Sequence, residues 1–445
     1  MPFIPNTDAD RKAMLERIGV NNFEELISNI PGELRFKQEF NLPEPLSEME
    51  IAREIHYKTC CNQSISDAIN FLGGGAYDHY IPAAINHIIS RSEFYTAYTP
   101  YQPEVSQGTL QTIYEYQSMI AELMNMEVAN ASMYDGGSAL AEASLMATAE
   151  MRKNKILVSR SVHPHYRQII RTYCHGQKIE IKLIELDNGI TDLSDLASKI
   201  DNDTAAVIVQ HPNFFGNLEE MFEINKLTHD KGALLISSND PISLGILDPP
   251  GNYDVDIATG EGQCLGNSLN FGGPYLGILT SKFKLIRRMP GRIAGATVDS
   301  QGRRGFVLTF QTREQHIRRE KATSNICTNQ ALNALAATVY LALMGKQGIQ
   351  DVALLCLQNC HYLADQIQQL DGFQLAFSSP FFKEFVVTTR IPPSKIIEKL
   401  MLKNIYAGID LSHFGYELKN GLLIAVTEKR TKEDMDIFVE ALKDV

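Results

Sequence analysis

Two short segments carry residues that can hold a flat, anionic ligand. Gly136, Gly137 and Ser138 open an alanine-rich segment of helical character, and free N–H groups at such a helix start bind phosphate or carboxylate. Asp240 follows a β-rich run. A carboxylate there lies where α/β sheets bind ligands and can pair with a protonated ring nitrogen. His163, after another β-rich run, can stack on the ring. Tight turns and a plain helix entry explain the same residues as alternatives.

A tyrosine-rich stretch is the second candidate for chemistry. Tyr95, Tyr98 and Tyr101 recur three residues apart, and Gln102 and Glu104 follow them. A long run that is interrupted by prolines and carries so many hydroxyl, amide and carboxyl groups is poor core material, because buried polar groups need partners. It suits the wall of a polar pocket. A packed surface loop is the alternative.

The cysteines do not form a recognisable framework. There are seven, and none shows C-x-x-C spacing, which argues against structural disulfides or a zinc site. Cys356 and Cys360 lie four apart on a predicted helix and precede His361. We interpret them as buried small hydrophobes rather than as metal ligands, and we expect no metal.

Alternating β-rich and helical segments predict the element that positions these residues. β-rich runs occur at 156–159, 179–184, 205–210 and 233–237. Helical spacing occurs between several of them, and such alternation is typical of a mainly parallel sheet covered on both faces.

The chain divides into three predicted parts. Residues 1–60 are polar, helical and broken by prolines, which indicates an arm that wraps the main domain or a neighbour. Residues 61–325 form the large α/β domain, and residues 326–445 form a smaller α+β domain with its own strands and helices.

Composition excludes several classes of protein. The chain has 445 residues and a net charge of −12 without a block of Lys or Arg, so nucleic acid and anionic membranes are poor candidate partners. Its first residues lack the features of a secretory or organelle signal, and no apolar run reaches the roughly 18 residues of a membrane span. We therefore expect a cytoplasmic protein.

Long motifs resemble one family, that of the glycine cleavage system P-protein. The tyrosine-rich segment 98–108 carries the resemblance most clearly, and it is joined by segments 71–80, 260–263, 270–275 and 312–328. The resemblance runs from about residue 8 to the C-terminus. It implies a fold-type-I pyridoxal phosphate (PLP) transferase architecture with a mainly parallel seven-stranded sheet. It also implies glycine decarboxylation with transfer of the aminomethyl group to the lipoyl arm of the H-protein.

The family's cofactor lysine is missing. In the catalytic half of this family that lysine follows a His and lies eleven residues before the Pro of a Gly-Gly-Pro loop. Counting back from Pro274 reaches Gln263, preceded by Gly262. Glutamine cannot bind the cofactor covalently. The nearest lysines, Lys282 and Lys284, lie beyond the loop.

The resemblance therefore implies the half of a two-chain glycine dehydrogenase that carries no PLP. A homologous second subunit would hold the cofactor in an α2β2 heterotetramer, with Gly136, Gly137, Ser138, His163 and Asp240 as remnants of a duplicated ancestor. The tyrosine-rich stretch (Tyr95, Tyr98, Tyr101, Gln102 and Glu104) would wall the partner's glycine pocket. An independent PLP aminotransferase or lyase that uses another lysine, and a purely structural scaffold, are the alternatives.

Overall fold

The computed structural model describes residues 5–38, 40–270, 272–273, 275–326 and 329–445. These residues divide into two compact units, 1–63 and 64–445. Within the described residues, no helix is long and apolar enough to span a membrane. The predicted boundary between a large and a small domain at residue 325 stays a prediction.

The first unit is a helical arm. Its helices are Asp8–Ile18, Phe23–Leu26 and Glu48–Thr59. Thr7 caps the first of them and Ser47 caps the last, each in a capping box with the acidic residue three positions later. Polar caps thus start these helices locally, without any buried residue in the described part of the arm.

A seven-stranded sheet forms the centre of the second unit, as predicted. In chain order its strands are β1 (Val128–Ala129), β2 (Lys155–Ser159), β3 (Glu180–Ile184), β4 (Thr204–His211), β5 (Leu234–Asn239), β6 (Ile257–Glu261) and β7 (Gly277–Ser281). Their spatial order is β1-β7-β6-β5-β4-β2-β3. Strand β7 runs antiparallel to both neighbours, and the other pairings are parallel. This confirms the mainly parallel sheet.

Helices cover both faces of this sheet. One core lies between the sheet and the helices Gln107–Leu123, Leu193–Lys199, Met221–Asp230 and the start of Ala331–Gln368. The other core lies under Gly136–Met151 and Pro164–His175. Because successive strand residues point to opposite faces, Leu157 packs in the first core while Ile156 and Val158 pack in the second. The alternating pattern therefore gives a three-layer α/β/α arrangement.

A second, four-stranded antiparallel sheet follows in the C-terminal part. Its strands are Phe373–Leu375, Glu384–Thr389, Gly421–Ala425 and Ile409–Asp410, in that spatial order. The remaining strands pair two by two: Ile69–Asn70 with Ile405–Tyr406, Leu186–Asp187 with Ile190–Thr191, and Ile293–Val298 with Arg304–Thr309. The remaining helices are Ala83–Ile89, Ser92–Tyr95, Gln315–Arg318, Pro393–Met401 and Lys432–Lys443.

Candidate functional site

A small cavity lies at the carboxyl edge of the central sheet, where ligands bind in this class of fold. Asp240 follows β5, Glu261 ends β6, and both line the cavity together with Tyr77, Tyr166 and Lys383. We call it the edge cavity. Its volume is about 30 Å³, which leaves room for about two water molecules. Side chains of the protein itself thus fill most of the space at this edge.

Gln263, which replaces the family's lysine, is a buried structural residue. Its amide oxygen accepts a hydrogen bond from the Tyr77 N–H at 2.8 Å. Its amide nitrogen donates to the carbonyl oxygens of Tyr77 at 3.0 Å and of Asn267 at 2.8 Å. A glutamine amide matches a peptide group in this way because it offers both a donor and an acceptor. Gln263 therefore anchors the glycine-rich loop 73–77 to the end of β6.

The Glu261 carboxyl occupies the start of the helix Gly136–Met151. One oxygen accepts from the Gly136 N–H at 2.8 Å. The other accepts from the N–H groups of Leu276 at 3.0 Å and Gln263 at 3.1 Å. Burial raises the pKa of Glu261 to about 8, against the opposing effect of these N–H donors. The helix start that the sequence assigned to an anion is thus paired with the chain's own carboxyl.

Asp240 forms a buried ion pair with Lys383. The Lys383 ammonium lies 2.6 Å from an Asp240 carboxylate oxygen and 3.6 Å from the centre of the Tyr77 ring. It also lies 3.0 Å from Nε2 of His79. Burial opposes the charge on Lys383, but Asp240 more than compensates, and the pKa of the ammonium is raised. Asp240 is therefore already paired with a positively charged side chain of its own chain.

His163 stacks on Tyr166, a side chain of the helix that His163 caps. The rings of His163 and Tyr166 lie 4.7 Å apart at 25°. Nε2 of His163 lies 2.7 Å from the Gly74 carbonyl oxygen, so it carries the proton and donates it. Burial lowers the pKa of His163 to about 4. The imidazole is consequently neutral and held between two loops.

The structure brings together the sequence-predicted cofactor residues and adds four that sequence reasoning missed. Asp240 lines the edge cavity, Gly136 and His163 contact its lining residues Glu261 and Tyr166, and Gly137 and Ser138 continue the same helix turn. The missed residues are Tyr77, Tyr166, Glu261 and Lys383. Glu261 and Tyr77 lie inside quoted family motifs. Lys383 interrupts the apolar run Phe381-Phe382-Lys383-Glu384-Phe385, and a lysine in such a run is the one local signal of a buried charge.

The residues of the edge cavity do not fit PLP. Covalent attachment needs a free amine, and Gln263 offers none. The phosphate and the ring nitrogen need a free helix start and a free carboxylate, and both are already paired. The remaining volume of about 30 Å³ holds no six-membered ring. No cofactor chemistry is therefore assigned to this cavity.

The tyrosine-rich stretch lies at a different place, on the surface. Tyr95 and Tyr98 are 68% and 81% exposed, and both line a second cavity of about 200 Å³. Tyr101 is about half exposed, and Gln102 and Glu104 are exposed. Five polar or aromatic side chains that lack burial within their own chain form a surface suited to a partner.

Arg292 supports this surface from below. It is buried, lines the second cavity, and places its guanidinium 5.4 Å from the centre of the Tyr101 ring. One of its terminal nitrogens donates to the Tyr101 hydroxyl at 3.3 Å. Among the described residues, Nε of Arg292 has no hydrogen-bond partner, but it lies 3.9 Å from a carboxylate oxygen of the buried Glu314, which balances its charge. Arg292 thus holds the Tyr101 hydroxyl in place at this surface.

The structure places the C-terminal cysteines and His361 in different environments. Cys356 and Cys360 are buried, whereas His361 is exposed and stacks on Phe381 at 4.2 Å. Cys356 instead lies near His79 and Glu428. His79 receives a hydrogen bond from Lys383 on one ring nitrogen and pairs with Glu428 through the other. We interpret this group as a buried polar network.

Comparison with solved structures places this architecture among known enzymes. The chain is similar to a structure titled glycine decarboxylase (P-protein) of the glycine cleavage system, in inhibitor-bound form, with a TM-score of 0.91, 41% identity and full coverage of both chains. It is also similar to a glutamate decarboxylase from Lactobacillus brevis, with a TM-score of 0.69 and 12% identity over 94% of this chain and 96% of that one. The second likeness shows the fold alone, which is the fold-type-I architecture of PLP enzymes.

Sequence comparison identifies the family. Two curated relatives carry the name probable glycine dehydrogenase (decarboxylating) subunit 1. The one from Chloroherpeton thalassium is 58% identical over all of both chains, and the one from Chlorobaculum parvum is 56% identical over 99% of each. The family model described as glycine cleavage system P-protein matches residues 1–442. With identity of this extent and a match along nearly its whole length, the chain belongs to the glycine cleavage system P-protein family.

Proposed function

We propose that this chain is the subunit of glycine decarboxylase that does not carry the cofactor. It assembles with a homologous second subunit, in an α2β2 heterotetramer, and completes that subunit's active site. Together they decarboxylate glycine and pass the aminomethyl group to the lipoyl arm of the H-protein. The electron sink for loss of CO2 is supplied by PLP bound on the second subunit.

One observation carries this proposal. Gln263 stands where the family's lysine stands, and all three of its side-chain hydrogen bonds serve the protein's own backbone. Because the Gln263 side chain is hydrogen-bonded to the backbone and has no amine, it offers no group for covalent binding of the cofactor. The chain therefore depends on another chain for the reacting centre.

The alternative of an independent PLP enzyme would require another lysine at the edge cavity. Among the described residues that line it, Lys383 is the one lysine. Its ammonium contacts Asp240, His79 and the Tyr77 ring. A protonated amine held by three partners is a poor nucleophile, because only the neutral amine attacks a carbonyl. The alternative is therefore disfavoured.

Tyr95 and Tyr98 are the residues through which this chain would act on glycine. Glycine offers few contacts, so its recognition must come from hydrogen bonds to the carboxylate and from the exclusion of water. Tyr95, at the end of the helix Ser92–Tyr95, and Tyr98, two residues before Pro100, would provide both with little loss of rotamer freedom. Arg292, which lines the same cavity, would hold the neighbouring Tyr101 hydroxyl in position. Gln102 and Glu104 lie beside them.

Glycine–bicarbonate exchange tests the assignment of the whole chain. We expect no exchange from the purified chain with added PLP, and full exchange once the second subunit is present. H-protein-dependent release of CO2 by the chain alone would contradict the proposal. A second subunit that is equally active without this chain would reduce this chain to a scaffold.

Removal of single hydroxyls tests the tyrosines. Tyr95→Phe and Tyr98→Phe should assemble normally, because the rings still provide the contact surface. Each should lower kcat/KM for glycine by about 5- to 150-fold, which corresponds to about 1–3 kcal/mol for an unpaired buried partner. Tyr80→Phe is the matched control, since Tyr80 is similarly exposed at 62% but lies outside the stretch. Values for both variants within twofold of the control would place the stretch outside the pocket.

A further inference from the structure

We infer that this chain carries an internal replacement for the cofactor: Glu261, Lys383 and Tyr166 take up the three contacts that its relatives' fold offers to a phosphate, a ring nitrogen and a ring face. The inference goes beyond the proposed function, because it concerns the edge cavity of this chain and not the partner's active site.

The phosphate contact is the first of the three. Three N–H groups, those of Gly136, Gln263 and Leu276, converge on the two oxygens of Glu261 within 3.1 Å. Gly136 opens the helix, whereas the other two N–H groups come from the segment between β6 and β7; N–H groups that converge beside a helix start bind phosphate in other proteins. Glu261 also packs closely, since a Cβ on Gly136 would lie 3.1 Å from the Glu261 Cβ. The carboxyl thus takes both the hydrogen bonds and the space of an anion.

The ring-nitrogen contact is the second. A carboxylate in the position of Asp240 stabilises a positive charge in front of it. Here the Lys383 ammonium supplies that charge at 2.6 Å. Lys383 reaches this point from the C-terminal four-stranded sheet, where it precedes the strand Glu384–Thr389. The ion pair therefore also ties that sheet to the end of β5.

The ring-face contact is the third. Tyr166 stacks on His163 and fills the space in front of the helix start, because a Cβ on Gly136 would lie 2.8 Å from the Tyr166 hydroxyl. A Cβ on Gly137 would lie 2.9 Å from the same ring. The aromatic ring thus covers the glycines that would otherwise lie open. Each contact is made by a different side chain, so loss of one leaves the other two in place.

Binding of inorganic phosphate to a variant tests the inference. The full chain is assembled with its second subunit, whose own site is saturated with PLP, and radiolabelled phosphate is measured by equilibrium dialysis at millimolar concentration. We expect Glu261→Ala to bind one phosphate more per copy of this chain than the wild type does. Crystals of the variant should show the anion against the Gly136 N–H. Should no complex form, the same measurement is made on the full chain alone, so the outcome does not depend on glycine turnover.

Glu384→Ala is the matched control. Glu384 lines the same cavity but accepts its hydrogen bonds from Gly74 and from the Tyr77 hydroxyl, away from the helix start. It should bind no additional phosphate. If Glu261→Ala binds no more phosphate than the wild type, or if the control binds as much as Glu261→Ala, the inference is wrong. If Glu261→Ala does not fold, Glu261→Ser opens the same gap with a polar lining and is judged by the same two outcomes.

Discussion

At the scale of single residues, Gln263 in place of the family's lysine changes the role of the whole site. The family spacing alone located Gln263, because the count from Pro274 requires no tertiary information. Its partners were not predictable in the same way. The Tyr77 backbone lies far from Gln263 in sequence, and only the folded chain brings the glycine-rich loop against the end of β6. The roles of Glu261 and Lys383 were not predicted for the same reason, since their partners come from other elements.

We predict that Gln263→Lys does not create a cofactor site. A lysine has no acceptor for the Tyr77 N–H and would bury a charge, so the variant should lose about 1–3 kcal/mol of stability. After borohydride treatment of the assembled complex with PLP, mass spectrometry should find the covalent label on the second subunit only. Gln263→Met, of similar length, is the control for loss of the hydrogen bonds. A labelled residue 263 together with turnover would show that the edge cavity still accepts PLP.

The Lys383–Asp240 pair makes a prediction about coupling. Lys383→Met removes the ammonium and leaves Asp240, whose side chain is 12% exposed, without a counter-charge, which costs about 3–5 kcal/mol. Adding Asp240→Asn should recover at least half of that loss, because neither charge then remains. Chemical denaturation followed by circular dichroism measures both, as the chain has no tryptophan. Losses that simply add in the double variant would mean that the two groups do not interact.

At the scale of elements, the sequence predicted one side of the central sheet well, from β5 to the edge strand β3, and the other side poorly. Strands β2 to β5 match the predicted β-rich runs to within about two residues at either end. Strand β1 has two residues and β6 reads Ile-Ala-Thr-Gly-Glu, so neither offers a long β-branched run. The span Ala331–Gln368 consists of two helices that meet at Gly345, where φ is 59° and ψ is −172°.

The contacts of Asp256 lead to a prediction about how low pH destabilises the central sheet. Asp256 precedes β6, accepts the Leu235 N–H from β5, and contacts His229 and Lys282. Burial by itself would raise its pKa, but these partners lower it well below the usual value. The ionised form is thus favoured in the folded state, so its contribution is present above about pH 4 and is lost as the pH falls below that.

Comparison with Asp256→Asn isolates this effect. The variant should be about 1–3 kcal/mol less stable than the wild type near pH 6. The difference should shrink when urea unfolding is repeated at pH 3, because Asp256 of the unfolded wild-type chain is then largely protonated while that of the folded chain is still ionised. Glu150→Gln, which removes a surface carboxylate paired with Arg288, is the control. A difference in stability that stays constant from pH 6 to pH 3 would refute the role assigned to the charge.

At the scale of the whole molecule, the described part of the arm lacks the buried apolar residues that would stabilise it within one chain. None of its described residues is buried, yet it carries large apolar side chains at high exposure. Leu34, Phe36, Phe40 and Leu42 are each at least 64% exposed. Apolar surface of this extent favours association. We propose that the second subunit covers it, as the predicted heteromer requires.

Removal of the arm should therefore weaken assembly before it affects chemistry. A chain that begins at Ser64 should keep the circular dichroism signal of the folded second unit, because residues 64–445 form a compact unit by themselves. Its affinity for the second subunit should fall by at least about tenfold, or 1.4 kcal/mol, a small part of what an obligate interface provides. Sedimentation equilibrium measures this directly. Leu34→Ser/Phe36→Ser/Phe40→Ser should weaken assembly in the same direction, whereas Lys12→Ser/Lys58→Ser, on the same arm, should not. Equal affinity of the truncated and full chains would leave the arm without a role in assembly.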